Sequence, residues 1–130
     1  MGRTKNIFMD MQQEYSLDVG EYNFQLKSYQ MKQELFNQYA EAIAENCGVD
    51  KEDIFSKTKK REVVDARQML YYLCSKRPMR ATFIQDCMAD NGYYVGHSVV
   101  LHGIRSMKRK LDIDQDYASM LNRIEQCVSI

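Results

Sequence analysis

The sequence predicts an all-α protein, a helix-turn-helix bundle with an added amphipathic helix on its N-terminal side. Three observations carry this. Apolar residues recur at three- and four-residue steps through most of the chain, the period of helices that bury one face. One Pro and six Gly among 130 residues are too few for a loop-rich β sandwich. Two helical stretches, at about residues 82–90 and 97–111, are joined by a short turn containing Gly, as in a helix-turn-helix. The length is that of one ordinary domain, and 45% hydrophobic residues, including nine Met, nine Tyr and five Phe, suffice for a single helical core.

Residues 1–20 lack periodicity and are closed by Gly20, which predicts a flexible N-terminal arm, or a short, poorly determined helix, ahead of one helical domain over residues 21–130. From Glu21 to Asn46, residues Tyr22, Leu26, Tyr29, Phe36, Tyr39, Ala40 and Ile43 fall at helical spacing, and Gly48 is placed as the C-terminal cap. Asp50 is a candidate cap for a short helix over Lys51–Phe55. A polar connection follows, Ser56-Lys57-Thr58-Lys59-Lys60-Arg61, with four positive charges in five residues. The next helix runs from Arg61 to Ser75, with Val63, Ala66, Leu70 and Leu73 on its apolar face and Lys60, Asp65 and Arg67 elsewhere. Pro78 ends it by disfavouring the α conformation at Arg77. Thr82 or its predecessor starts a helix to Asp90 that turns Phe83, Ile84, Cys87 and Met88 inward, and Asn91-Gly92 breaks it. The following helix begins at His97 or Ser98 and continues to Leu111, with Val100, Leu101, Ile104, Met107 and Leu111 at core spacing. Asp114 then caps a last helix in which Tyr117, Met120, Leu121, Ile124 and Cys127 pack back.

The formal charge is zero, but it is segregated: residues 1–50 carry net −4, residues 51–110 net +7 and residues 111–130 net −3. A basic block between acidic ends presents a local positive field of the kind that attracts polyanions. Solvated helix faces produce the same count, so charge alone does not decide. No run of apolar residues is long enough for a membrane span, and the N-terminus leads into a polar segment, so no membrane partner and a cytoplasmic location are expected. Cys47, Cys74, Cys87 and Cys127 form no Cys-x-x-Cys pair and are read as small, mostly buried hydrophobes. His97 and His102 are five residues apart, which separates them on a helix, so no shared metal is expected. No acid orients a thiol nucleophile and no Gly-rich oxyanion turn is present, so neither catalysis nor a cofactor is expected.

Two motifs bring a resemblance. The run Asp53-Ile54-Phe55-Ser56-Lys57 through Ala66-Arg67-Gln68-Met69 resembles the opening of the C-terminal domain of the bacterial replication initiator DnaA. There a hydrophobic pair followed by Ser-Lys and a basic loop precede a helix bearing Arg-Gln. The run Gly96-His97-Ser98-Val99-Val100-Leu101-His102-Gly103 is similar to that family's Asp-His-Thr-Thr-Val-Leu-His-Ala signature at the start of the recognition helix. Together, in order and about thirty residues apart, the motifs are fairly specific, and the resemblance covers about residues 35–127. It implies a Trp-repressor-like helical fold that binds double-stranded DNA, found in the bacterial cytosol or nucleoid, or in a host cytoplasm if the chain is viral. No Gly-x-x-x-x-Gly-Lys-[Ser/Thr] occurs in the sequence, so the initiator's nucleotide-driven motor, and a nucleotide with it, is not expected in this chain.

The resemblance also implies roles residue by residue. Arg67 stands where the family's conserved Arg enters the minor groove. His97 and Ser98 take the places of base-reading residues, and His102 that of a phosphate contact. The basic loop assigns Lys57, Lys59, Lys60 and Arg61 to the backbone; Thr82 and Arg105 join the DNA-contacting set. Val99 replaces a Thr, exchanging a hydroxyl for methyls that suit a thymine methyl group. Gly96 replaces an acid that would accept from a cytosine amino group, and the turn Asn91–Val95 is longer than the family's, so the preferred site need not be the initiator's. The expected function is regulation of replication or transcription, on a chain of phage or other mobile-element type. The rival expectation is a protein-interaction or virion-associated module that retained the scaffold and binds an acidic protein surface. The helix over 21–46 either engages a second copy or a protein partner, or simply lengthens the core. Lys108-Arg109-Lys110 either complements the helix dipole or clamps phosphate, and Tyr93-Tyr94 either stacks on sugar or closes the core.

Overall fold

A computed structural model describes residues 19–128, with side chains from Leu26 onward. Among the described residues six helices follow one another: α1 (Val19–Cys47), α2 (Lys51–Ile54), α3 (Arg61–Lys76), α4 (Ala81–Asp90), α5 (His97–Ile113) and α6 (Gln115–Cys127). Among the described residues there is no strand, and no helix is long and apolar enough to cross a membrane. The expected arm lies outside the described residues except for Val19 and Gly20, which begin α1.

The chain divides into two units, residues 1–32 and 33–130. The described part of the first is helical throughout. Leu26, Tyr29 and Met31 there are exposed, although Leu26 and Tyr29 sit at the spacing expected of a buried face. Periodicity was enough to make the helix, but burial needs a covering surface.

In the second unit each helix end has an identifiable cause. Gly48, at φ 69°, ends α1 in the left-handed conformation that a side chain would oppose, and the Val49 N–H reaches back to the Ala44 carbonyl at 3.0 Å, closing a Schellman motif. Asp50 occupies the cap position of α2 but its side chain makes no capping bond, contrary to expectation. Arg77, held extended before Pro78, stops α3. Gly92, at φ 94°, turns the chain after α4. Asp114 caps α6 as expected, its carboxylate accepting from the Asp116 N–H at 2.9 Å.

Helix α3 is the central element. Val63, Ala66, Met69, Leu70, Tyr71, Leu73 and Cys74 are all buried, so the helix is covered on most of its circumference. The same buried core includes Phe36, Tyr39 and Ile43 of α1, Ile84 and Met88 of α4, Val100 and Met107 of α5, and Leu121 and Ile124 of α6. Gly103 lets α5 approach closely: a Cβ there would stand 2.8 Å from Tyr71 Cδ2. Polar side chains tie the ends together. Lys110 donates to Asp65 at 2.6 Å and to Gln68 at 2.8 Å, and the Tyr117 hydroxyl donates to the same Asp65 at 2.9 Å, linking α3, α5 and α6. Tyr39 donates to Glu125 at 2.9 Å, joining α1 to α6.

One further expectation needs correction. Cys127 is exposed rather than packed back, while Val128 beside it is buried. Cys74 and Cys87 are buried and Cys47 half-buried; burial, aided by nearby Asp90 and Asp86, pushes the Cys87 thiol up to about 12, which keeps it protonated and inert.

Candidate nucleic-acid interface

The segment between α2 and α3 carries the densest positive charge, and its conformation comes from small polar groups turned inward. The Ser56 hydroxyl donates to the Asp53 carbonyl at 2.9 Å and accepts from the Thr58 N–H at 3.4 Å; the Thr58 hydroxyl accepts from the Lys60 N–H at 3.3 Å. These local bonds fold the loop as Ser and Thr commonly do. Lys57, Lys59, Lys60 and Arg61 are left pointing to solvent.

Beneath the loop lies Arg67. It is 7% exposed, its Nε donates to the Ile54 carbonyl at 2.8 Å, and its Nη2 donates to the carbonyls of Asp53, Ser56 and Thr58. Four backbone carbonyls therefore surround one guanidinium, whose planar fork suits several acceptors at once. Its Cζ also sits 4.9 Å from the centre of the Tyr93 ring, in the turn before α5. The resemblance places Arg67 in a minor groove, but here its side chain is buried, with Nε and Nη2 engaged by these carbonyls. It shares a helical stripe with Val63, Leu70, Tyr71 and Cys74, and that stripe was the available signal. Tyr93 is settled too, as the ring under which the guanidinium is packed. Its neighbour Tyr94 is 84% exposed.

Helices α4 and α5 meet across residues 91–96, where Gln85 Nε2 donates to the Val95 carbonyl at 2.9 Å and fixes the turn. Gly96 stands at the N-cap of α5 with ordinary extended backbone, φ −77° and ψ 157°, and caps with no side chain. A Cβ built there would meet nothing within 4 Å, so neither conformation nor crowding demands glycine. From this end His97, Ser98, Val99, His102 and Arg105 are all exposed, while Val100, Gly103 and Met107 face the core. Ser98, His102, Arg105 and Arg109 follow one another at steps of three and four along one stripe. His102 Nε2 and Arg109 both lie against the Ser106 hydroxyl, at 3.3 and 3.2 Å. Thr82 is exposed at the start of α4, next to exposed Arg80, which the sequence reading passed over. Of the basic run, Lys108 and Arg109 face outward and Lys110 faces inward to Asp65.

Two helices joined by a Gly-containing turn, the second presenting an uncrowded, exposed N-terminal face, define a helix-turn-helix protein of the DNA-binding class. The comparisons with known proteins specify it further. The chain belongs to the bacterial DnaA helix-turn-helix family, whose model matches residues 37–107. Among curated relatives, the chromosomal replication initiator protein DnaA of Porphyromonas gingivalis is 27% identical over 90 residues, covering 68% of this chain and 18% of that protein. The DnaA of Bacteroides fragilis is 29% identical over 86 residues, covering 64% of this chain and 17% of that protein. The chain thus matches less than a fifth of the length of these relatives. No solved structure matches it.

Proposed function

We propose that this chain binds duplex DNA with the N-terminal half of α5 in the major groove and the Lys57–Arg61 loop on the adjacent backbone, and that it regulates replication or transcription in a bacterial cytoplasm or nucleoid. The observation that carries the reading is the Arg67 guanidinium. It contacts the end of α2 through two carbonyls, the basic loop through two more, and the turn before α5 through Tyr93. Two exposed segments of suitable chemistry are thereby anchored to one group, which sets their separation before any DNA arrives; such preorganisation lowers the ordering entropy lost on binding.

Each contact has its own task. His97 and Ser98 at the helix start offer small polar groups to base edges, and Val99, 52% exposed, offers methyls to a thymine. His102, Arg105 and Arg109 lie along the stripe that would pass the phosphates, and Thr82 is positioned at the start of the preceding helix. With Arg67 committed inward, a cation that enters a minor groove must come from the loop itself, from Lys57, Lys59, Lys60 or Arg61. The absent side chain at Gly96 means that no carboxylate reads cytosine there, which favours a preferred sequence different from one read through an acid.

Selection of bound duplexes from a random pool, followed by gel-shift titration across salt, tests the reading. An enriched motif and an affinity that falls steeply with salt are expected. Absence of any shift at low salt overturns it in favour of a protein-binding module.

A further inference from the structure

In the second unit, one thiol sulfur lies against two thioether sulfurs carried by two other helices. Cys47 Sγ, at the end of α1, lies 3.7 Å from Met69 Sδ of α3 and 3.6 Å from Met120 Sδ of α6. All three residues line one cavity of about 320 Å³. The same cavity is lined by four carboxylates, those of Glu62, Asp65, Asp114 and Asp116. Asp65 is already engaged by Lys110 and Tyr117, and Asp114 by the first turn of α6. The acids therefore contribute negative potential more than open ligands. Among the described residues no three side chains of His, Cys, Asp or Glu gather as a metal site of those types requires. What distinguishes this place is a thiol with two thioethers, in an acidic surrounding that favours a cation.

We propose that Cys47, Met69 and Met120 form a binding site for a soft monovalent cation, Cu(I). Thioethers are poor ligands for zinc, magnesium or calcium, whereas thiolate and thioether together select Cu(I). Metal–sulfur bonds of about 2.3 Å in a trigonal arrangement place the ligand sulfurs about 4 Å apart. The spacings from Cys47 to each Met need to open by only a few tenths of an ångström, an adjustment within reach of unbranched Met side chains. On binding, the Cys47 S–H bond breaks, its proton passes to solvent, and thiolate and metal form a neutral unit suited to a half-buried position. The site is independent of the DNA-binding reading.

The test is anaerobic titration of the full chain with Cu(I) against a chromophoric Cu(I) chelator. The chain is expected to withdraw a single equivalent. Cys47→Ser should abolish this, and the near-isosteric Met69→Leu and Met120→Leu should each weaken it by on the order of tenfold, with circular dichroism unchanged. Cys127→Ser, at the exposed thiol, should change nothing. X-ray absorption of the loaded chain should report sulfur coordination only, a readout that does not depend on any variant folding. Failure to withdraw Cu(I), loss with Cys127→Ser instead of Cys47→Ser, indifference to both Met substitutions, or nitrogen coordination would each overturn the proposal.

Discussion

The two segments assigned to DNA differ in how the fold holds them. The loop between α2 and α3 is shaped by its own backbone: its carbonyls converge on Arg67 and its small hydroxyls turn inward, so its geometry depends on buried groups. The first turn of α5 is the opposite case, with an N-cap lacking a side chain, nothing within 4 Å of a Cβ placed there, and exposed side chains at His97, Ser98 and Val99. Substitution in the first region therefore acts through stability as well as contact. Substitution in the second acts on contact alone.

Arg67→Ala should produce the largest change. Removing a charged donor from several buried carbonyls costs about 3 kcal/mol, read as a lowered denaturation midpoint, together with weakened binding to every DNA sequence. Arg67→Lys should rescue little, since a point charge lacks the fork. An Arg67→Ala protein as stable as the parent would erase the contrast between the two regions. His97→Ala should leave the midpoint within about 0.5 kcal/mol and weaken the selected site by about 1–3 kcal/mol relative to random duplex, measured by gel shift on both. The double substitution Lys59→Ala with Lys60→Ala should weaken all sequences alike and reduce the salt slope by about 2 without altering stability. Gly103→Ala, on the buried side of the same helix, should destabilise by roughly 1 kcal/mol because the Tyr71 ring must move, as thermal or chemical denaturation will report. A small effect on the fold is expected from Gly96→Asp, a few tenths of a kcal/mol of stabilisation as a better cap. That variant should nevertheless shift the selected motif towards cytosine at one position; an unchanged motif would remove Gly96 from the reading surface.

The helices were legible because their causes are local. Apolar spacing, Gly48, Pro78, Gly92 and Asp114 located the elements to within a residue or two, and the fold class followed. Arg67 was misplaced because charge type argues for the surface, while its burial depends on carbonyls brought from thirteen residues away by a loop whose path no periodicity encodes. Lys110 was ambiguous for the same reason: its partners Asp65 and Gln68 lie on another helix. The exposure of Cys127 and of Leu26 reflects where covering surface ends, which spacing along a single helix does not record. Tyr71 against Gly103 is a tertiary contact that became visible only once α3 and α5 were laid together. Most of the exposed candidates, by contrast, lay on a loop or a helix start, where sequence alone already placed them at the surface.

The open space at Gly96 bears on how such a protein changes over time. On the proposed reading, a position that faces the DNA but not the scaffold can be exchanged without a compensating mutation elsewhere, so a new preference can be acquired in a single substitution and lost as easily. Lineages carrying this domain would then be expected to diverge in target while remaining alike in architecture, with Arg67 marking what is kept and Gly96 what is free to drift.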